Sequence, residues 1–242
     1  MLYKKTSIII VSYKALNYLQ QCIESIRANT TIPYELIIVD NNSGEPTTRY
    51  LLAQRDIKLV LNKQNVLLTP AQSQALKLVD KDSHYVLFLN PDMRILRPDW
   101  LQLMIDRMES QEKVGIVGPI YNVQAIGPLF GNIDMACLLA RTILLHDTGG
   151  LNTNFPWNGA GFILTVDAWS HGWRYKHLKW PKIIKHYGAK SRSFNKIPNT
   201  KIDQRAEILK RGLKPSWSLV YFLRQFFQRP DLIWKSIKLK YL

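Results

Sequence analysis

Three acidic or amide positions stand out because each closes an apolar run. Asp40 ends Glu35-Leu-Ile-Ile-Val-Asp40, and Asn90 and Asp92 follow Tyr85-Val-Leu-Phe-Leu89. A carboxylate at the end of a buried strand can accept a hydrogen bond from a ligand N–H, such as N3–H of a pyrimidine base. It can equally cap the turn that follows. Asn90-Pro-Asp92 offers one amide and one carboxylate, oxygen donors of the kind a hard divalent cation prefers. Such a cation would bridge a diphosphate and neutralise its charge as it leaves. The same tripeptide is also ordinary turn chemistry. Ser12 and Tyr13, closing the run Ser7-Ile-Ile-Ile-Val-Ser12, complete this group.

Those side chains share a site only if the runs are parallel strands of one sheet. The first 120 residues alternate short β-branched runs with helical spacing. Strands are predicted at 7–12, 35–40, 57–61, 85–89 and 114–117. Helices are predicted at 15–29, 46–54, 70–79 and from Pro98 to about Ser110. Asn41-Asn-Ser-Gly44 reads as a turn with helix-capping chemistry. This alternation implies right-handed crossovers and a mainly parallel sheet with helices on both faces. In such sheets ligands bind beyond the carboxyl ends of the strands, where all the residues above would lie. Beyond 120 the spacing predicts a helix near 133–145 and a strand at Gly159–Val166. Asp167 then caps a short helix over Ala168–His171, and basic helices follow near 202–211, 216–228 and 230–240.

The chain of 242 residues is long enough for one large domain with an appendage. Cys22 and Cys137 are its only cysteines, too few for a disulfide scaffold or a four-thiolate zinc site, and they suggest a reducing compartment. The net charge of +15 is unevenly distributed. Residues 1–170 carry 15 Lys/Arg against 15 Asp/Glu, whereas 171–242 carry 18 against 3. A one-sided excess of this kind suits an anionic partner, or a solvated basic tail. The tail interleaves Trp217, Tyr221, Phe222, Phe226, Phe227, Trp234 and Tyr241 with Lys and Arg. That pattern fits a membrane interface, and fits equally aromatics packed on the domain with their cations in water. No secretory core and no membrane-spanning run is expected. Nucleic acid is not an expected partner, since no recognition motif accompanies the charge.

Ser7–Tyr13, Glu35-Leu-Ile-Ile-Val-Asp-Asn-Asn-Ser43 and Tyr85-Val-Leu-Phe-Leu-Asn-Pro-Asp92, in this order and spacing, resemble the nucleotide-binding half of the family-2 glycosyltransferases with the GT-A fold. The Leu-Asn-Pro-Asp form is similar to the rhamnosyltransferase-like branch. The resemblance implies an α/β, Rossmann-like GT-A domain over 1–195. Its nucleotide-binding half would be 1–118 and its acceptor half 119–195, with a basic aromatic helical tail over 196–242. It also implies an inverting glycosyltransferase of glycan or polysaccharide assembly, with a UDP- or dTDP-sugar donor and a saccharide acceptor. The basic tail, rather than the resemblance, suggests a lipid-linked acceptor and a cytoplasmic location, peripheral on the inner membrane face. The alternative is a degenerate nucleotide-sugar-binding protein of the same fold.

Residue by residue, the resemblance assigns the pyrimidine base to Asp40 and nucleoside contacts to Ser12, Tyr13, Asn42, Asn65 and Asn90. It assigns Mg²⁺ or Mn²⁺ to Asp92, the last position of the metal motif. Asn90, as a neutral first position, weakens that site relative to two carboxylates. Where relatives carry Asn-x-Gly-Phe, this chain has Asn65 followed by Val66 at the glycine. Trp157–Phe162 resembles the strand that floors the acceptor site. Lys185-His-Tyr-Gly-Ala-Lys-Ser191 resembles a late segment whose histidine, here His186, reaches the metal or diphosphate, with Gly188, Lys190 and Arg192 as a cradle. The Glu-Asp pair that supplies the family's base has no counterpart, because no acid occurs between Ser170 and Ile202. Asp147, in His146-Asp-Thr-Gly-Gly150, is the expected base, ahead of Asp134 and Asp167.

Overall fold

A computed structural model describes residues 3–119, 133–157, 159–178, 182–187 and 204–212. The first half follows the predicted alternation: β1 (Thr6–Ser12), α1 (Leu16–Asn29), β2 (Tyr34–Asp40), α2 (Glu45–Leu52), β3 (Ile57–Leu61), α3 (Leu68–Leu76) and β4 (Tyr85–Leu89). There follow β5 (Met93–Ile95), α4 (Trp100–Glu109), β6 (Val114–Pro119), β7 (Cys137–Arg141), α5 (Thr142–Asp147), α6 (Ala160–Ser170), β8 (Arg174–Leu178), β9 (Ile184–His186) and α7 (Gln204–Lys210). Seven strands form one sheet in the order β3-β2-β1-β4-β7-β6-β8. Every neighbouring pair is parallel except those of β7, which runs antiparallel to β4 and β6. This is the mostly parallel α/β sheet expected.

The unbroken apolar runs of β1 and β2 follow from burial on both faces. Alternate residues enter different cores. Ile8, Ile10, Leu36 and Ile38 join Leu19, Ile23, Trp100 and Met104 from α1 and α4. Ile9, Val11, Ile37 and Val39 join Ala71, Ala75, Phe162 and Val166 from α3 and α6.

Three expectations need correction. Residues 133–145 are not one helix: Cys137–Arg141 is β7, held on both sides by β4 and β6. Gly159–Val166 is not a strand but the start of α6, eight of whose eleven residues are buried. A short apolar run buried all round carries no periodicity to distinguish helix from strand. Asp167 therefore does not cap a helix; it lies inside α6 and pairs with Arg211. That pair, together with buried Ile208, fastens α7 to α6. Residues 213–242, with the remaining basic helices, lie outside the described residues.

At the amino ends of the strands, Glu35 accepts a hydrogen bond from the Ser7 hydroxyl and another from the Asp80 N–H, while Lys5 and Lys58 both pair with Asp80. The ammonium groups of Lys5 and Lys58 hold the Asp80 carboxyl well below its ordinary range. Because the folded value is the lower one, this contribution is present above the unfolded pKa of 3.8 and is lost as pH falls beneath it. Melting temperatures compared at pH 7 and pH 3 are expected to drop less in Asp80→Asn than in the wild type.

Candidate active site

β1 and β2 are paired in register, so Ser12 lies opposite Asp40, and β4 aligns Leu89 with Ile10. Asp40, Ser12, Asn90 and Asp92 therefore emerge at the same end of the sheet. Two strand spacings separate β2 from β4, roughly 10 Å.

Asp40 is buried, and its carboxylate accepts hydrogen bonds from both the N–H and the hydroxyl of Ser43. The same Ser43 hydroxyl accepts from the Lys14 N–H at 2.9 Å, tying the β1 turn to the β2 turn. The turn-capping role that the sequence left open is thus realised. Ser43 serves Asp40 rather than α2, whose N-cap, Gly44, has no side-chain bond. Ser12 is buried, and its Oγ has no hydrogen-bond partner among the described residues. A buried hydroxyl left in that state is costly unless a ligand completes it. Tyr13 is half-buried beneath the Lys14 ammonium, 5.3 Å from its ring centroid.

Asp92 is 1% exposed, and its Oδ1 lies 3.4 Å from His186 Nε2. Ninety-four positions separate the two in sequence. The two-stranded sheet β5–β9 joins them, pairing Met93 with His186, and the Tyr187 N–H donates to the Asp92 carbonyl. The Tyr187 ring packs on Tyr18 of α1. Behind Asp92, the buried Cys22 thiol is pushed far above its ordinary range, first by burial and then by the Asp92 charge. One carboxylate and one imidazole suit Mg²⁺ or Mn²⁺, which take few protein ligands when substrate phosphates supply the rest. Among the described residues no group of three or more potential metal ligands occurs. Gly188, Lys190 and Arg192 lie outside the described residues.

Asn42 and Asn65 shape loops. Asn42 is exposed at φ +66° and donates to the Lys63 carbonyl. The Asn65 side chain accepts from the Leu67 N–H at 2.9 Å. The left-handed position is therefore Leu67, not Val66, with φ 70° and ψ −177°, a region almost confined to glycine. Lys14, Asn42 and Leu67, the described non-glycine residues with positive φ, all sit in loops at the carboxyl end of the sheet. Normally alanine is the more stable choice over glycine. At position 67 the order is expected to reverse, with Leu67→Gly more stable than Leu67→Ala by about 1 kcal/mol in urea unfolding.

The sequence reading missed a partly buried amide network. Asn41 Nδ2 donates to the Leu67 carbonyl, and its Oδ1 accepts from Asn62, which also bonds Gln74. The signal was present as asparagines directly after β2 and β3.

Asp147 does not belong to this site. Because β7 runs against β4, Arg141 pairs with Tyr85 at the amino end of the sheet, and α5 continues from there. Asp147 accepts a hydrogen bond from Trp173 Nε1, just before β8 on that same end. The structure thus places the expected base Asp147 at the end of the sheet opposite Asp40, Asn90 and Asp92. The first turn of α6 contains no acid either.

This sheet order, with Ser12, Asp40, Asn90 and Asp92 at the carboxyl ends of its strands, is an α/β fold of the GT-A type. The model of the family "Glycosyl transferase family 2" matches residues 7–156, and the chain belongs to that family. It is 27% identical over 234 residues to the O-antigen biosynthesis protein RfbC of Myxococcus xanthus, covering 80% of this chain but 18% of that protein. Among solved structures, it resembles the mannosyltransferase PcManGT from Pyrobaculum calidifontis in complex with GDP-Man and Mn²⁺. There the TM-score is 0.63 at 14% identity, over 94% of this chain and 75% of that one. S. aureus TarS 1–349 in complex with UDP-GlcNAc gives 0.62 at 18%, over 94% and 74%. Glucosyl-3-phosphoglycerate synthase from Mycobacterium tuberculosis, with Mn²⁺, UDP and glucosyl-3-phosphoglycerate, gives 0.60 at 17%, over 87% and 81%. The rhamnosyl branch is not singled out by these relatives. Among the described residues no helix is long and apolar enough to cross a membrane.

Proposed function

We propose that the chain transfers a sugar, with inversion, from a UDP- or dTDP-sugar to a saccharide acceptor in polysaccharide assembly. The observation that carries this reading is the approach of His186 to the buried Asp92, at the sheet end shared with Asp40 and Ser12. A nucleoside spans the interval between β2 and β4. Asp40 would then accept the base N3–H, with the Ser12 hydroxyl, Tyr13, Asn42, Asn65 and Asn90 along the nucleoside. Asp92 and His186 would hold Mg²⁺ or Mn²⁺, which supplies charge neutralisation to the departing diphosphate. The metal- and nucleotide-bound relatives support this donor class.

The basic excess after residue 170 favours a lipid-diphosphate-linked acceptor, reached peripherally at an anionic membrane face. The test is calorimetric binding and turnover with UDP-, dTDP- and GDP-sugars, with and without Mn²⁺. Selective binding of one donor with nucleotide release supports the reading, and neither binding nor release across the panel overturns it. A second reading, a nucleotide-sugar-binding protein without transfer, draws on the acid-free first turn of α6. Tight donor binding with no turnover would favour it.

A further inference from the structure

With Asp147 at the far end and no acid opening α6, the base must come from elsewhere if transfer occurs. We infer that Asp134 is the catalytic base, an assignment that rests on the transferase reading above.

The argument is topological. β7 runs opposite to β4, so the residues that lead into it lie at the carboxyl end, where the donor residues are. The Asn90 N–H donates to the Ala136 carbonyl at 2.9 Å, fixing this lead-in beside the Asn90–Asp92 turn. On its other side the lead-in meets the start of α6. A Cβ at Gly161 would lie 2.2 Å from the Ile133 carbonyl oxygen and 3.0 Å from the Met135 nitrogen. Asp134 thus sits on a segment wedged between the donor turn and the first turn of α6, in the region assigned to the acceptor. Its Oδ1 accepts from the Ala136 N–H at 3.0 Å, which holds the side chain against its own segment. The group is only partly buried, as a base that must meet an incoming hydroxyl requires. Asp167, the remaining alternative, is engaged by Arg211.

The step balances without a further reagent. The acceptor oxygen forms a bond to the anomeric carbon while its proton passes to the Asp134 carboxylate. The bond from that carbon to the β-phosphate oxygen breaks, and its electron pair leaves on the nucleoside diphosphate.

The experiment uses the full chain and water as acceptor, reading nucleoside diphosphate release from the panel sugar that binds. Asp134→Asn is expected to retain donor affinity and melting temperature, since an amide oxygen still accepts from the Ala136 N–H. Its release rate should fall by about 10²–10⁴-fold, the usual worth of a positioned base. Asp134→Glu should recover part of that loss, and Asp147→Asn should release at the wild-type rate. Undiminished release by Asp134→Asn overturns the assignment, as does a wild type that binds donor but releases no nucleotide above the buffer rate. Failure of the wild type to bind any panel sugar instead removes the transferase reading itself, and this inference with it.

Discussion

Asp92→Asn is expected to lower nucleotide release by about 10²–10³-fold while leaving the fold intact. The substitution preserves shape but removes the buried negative charge that faces His186 Nε2 at 3.4 Å. Its effect should therefore fall on charge stabilisation rather than packing. Loss of one preorganised electrostatic partner where charge develops is typically of this size. The side chain is 1% exposed, so bulk water does not replace the lost interaction. The measurement is release rate and donor affinity in parallel, with Mn²⁺ titrated against each. Donor affinity should weaken in the presence of Mn²⁺ and change little in its absence, because the residues around Asp40 proposed to hold the base lie two strands away. An unchanged release rate would remove Asp92 from the reaction.

Gly161→Ala is expected to disturb both stability and turnover. The added methyl group would meet backbone on the facing segment, the Ile133 carbonyl at 2.2 Å and the Met135 nitrogen at 3.0 Å. Neither atom can swing aside as a side chain can, so α6 or the 133–136 lead-in must shift. Overpacking of this kind costs about 1–3 kcal/mol. The displaced lead-in carries Asp134 and is bonded to Asn90, so release should fall as well. Gly115→Ala provides the contrast. Its Cβ would press on Leu144 Cδ1 and the Trp173 ring, which are side-chain atoms, at the opposite end of the sheet. It should lose less stability and keep its donor affinity. Urea midpoints that rank the two variants in the reverse order would refute the backbone contact as the cause.

The first half of the chain was legible because its information is local. β3 and β4 have the bounds predicted, and the other elements through β6, apart from the unpredicted β5, begin or end within a few residues of those predicted. In a strand buried on both faces every position is apolar, and in α1 the spacing of Leu19, Ile23 and Ile26 marks the buried stripe. Asp40, Ser12 and Asn90 could be assigned to one end of the sheet because parallel strands joined by right-handed crossovers must finish together.

The short strands and the later part of the chain were less legible. Met93–Ile95 and Ile184–His186 are three residues each, too short for any pattern, and are strands only because each supplies the other's hydrogen bonds. Cys137–Arg141 has no alternation, and its strand state comes from two neighbours contributed by distant sequence.

The amino-acid sequence by itself determined the parallel sheet, the end at which its strands finish together and the polar residues that gather there. Those follow from side-chain polarity repeated over a few residues. Tertiary structure alone decided which acids face that end. The direction of β7 sends Asp134 to it and carries Asp147 to the other, because a strand of five residues covers roughly 17 Å and whatever precedes and follows it must lie at opposite ends. That direction is set by hydrogen bonding to β4 and β6, partners the local text of β7 does not name.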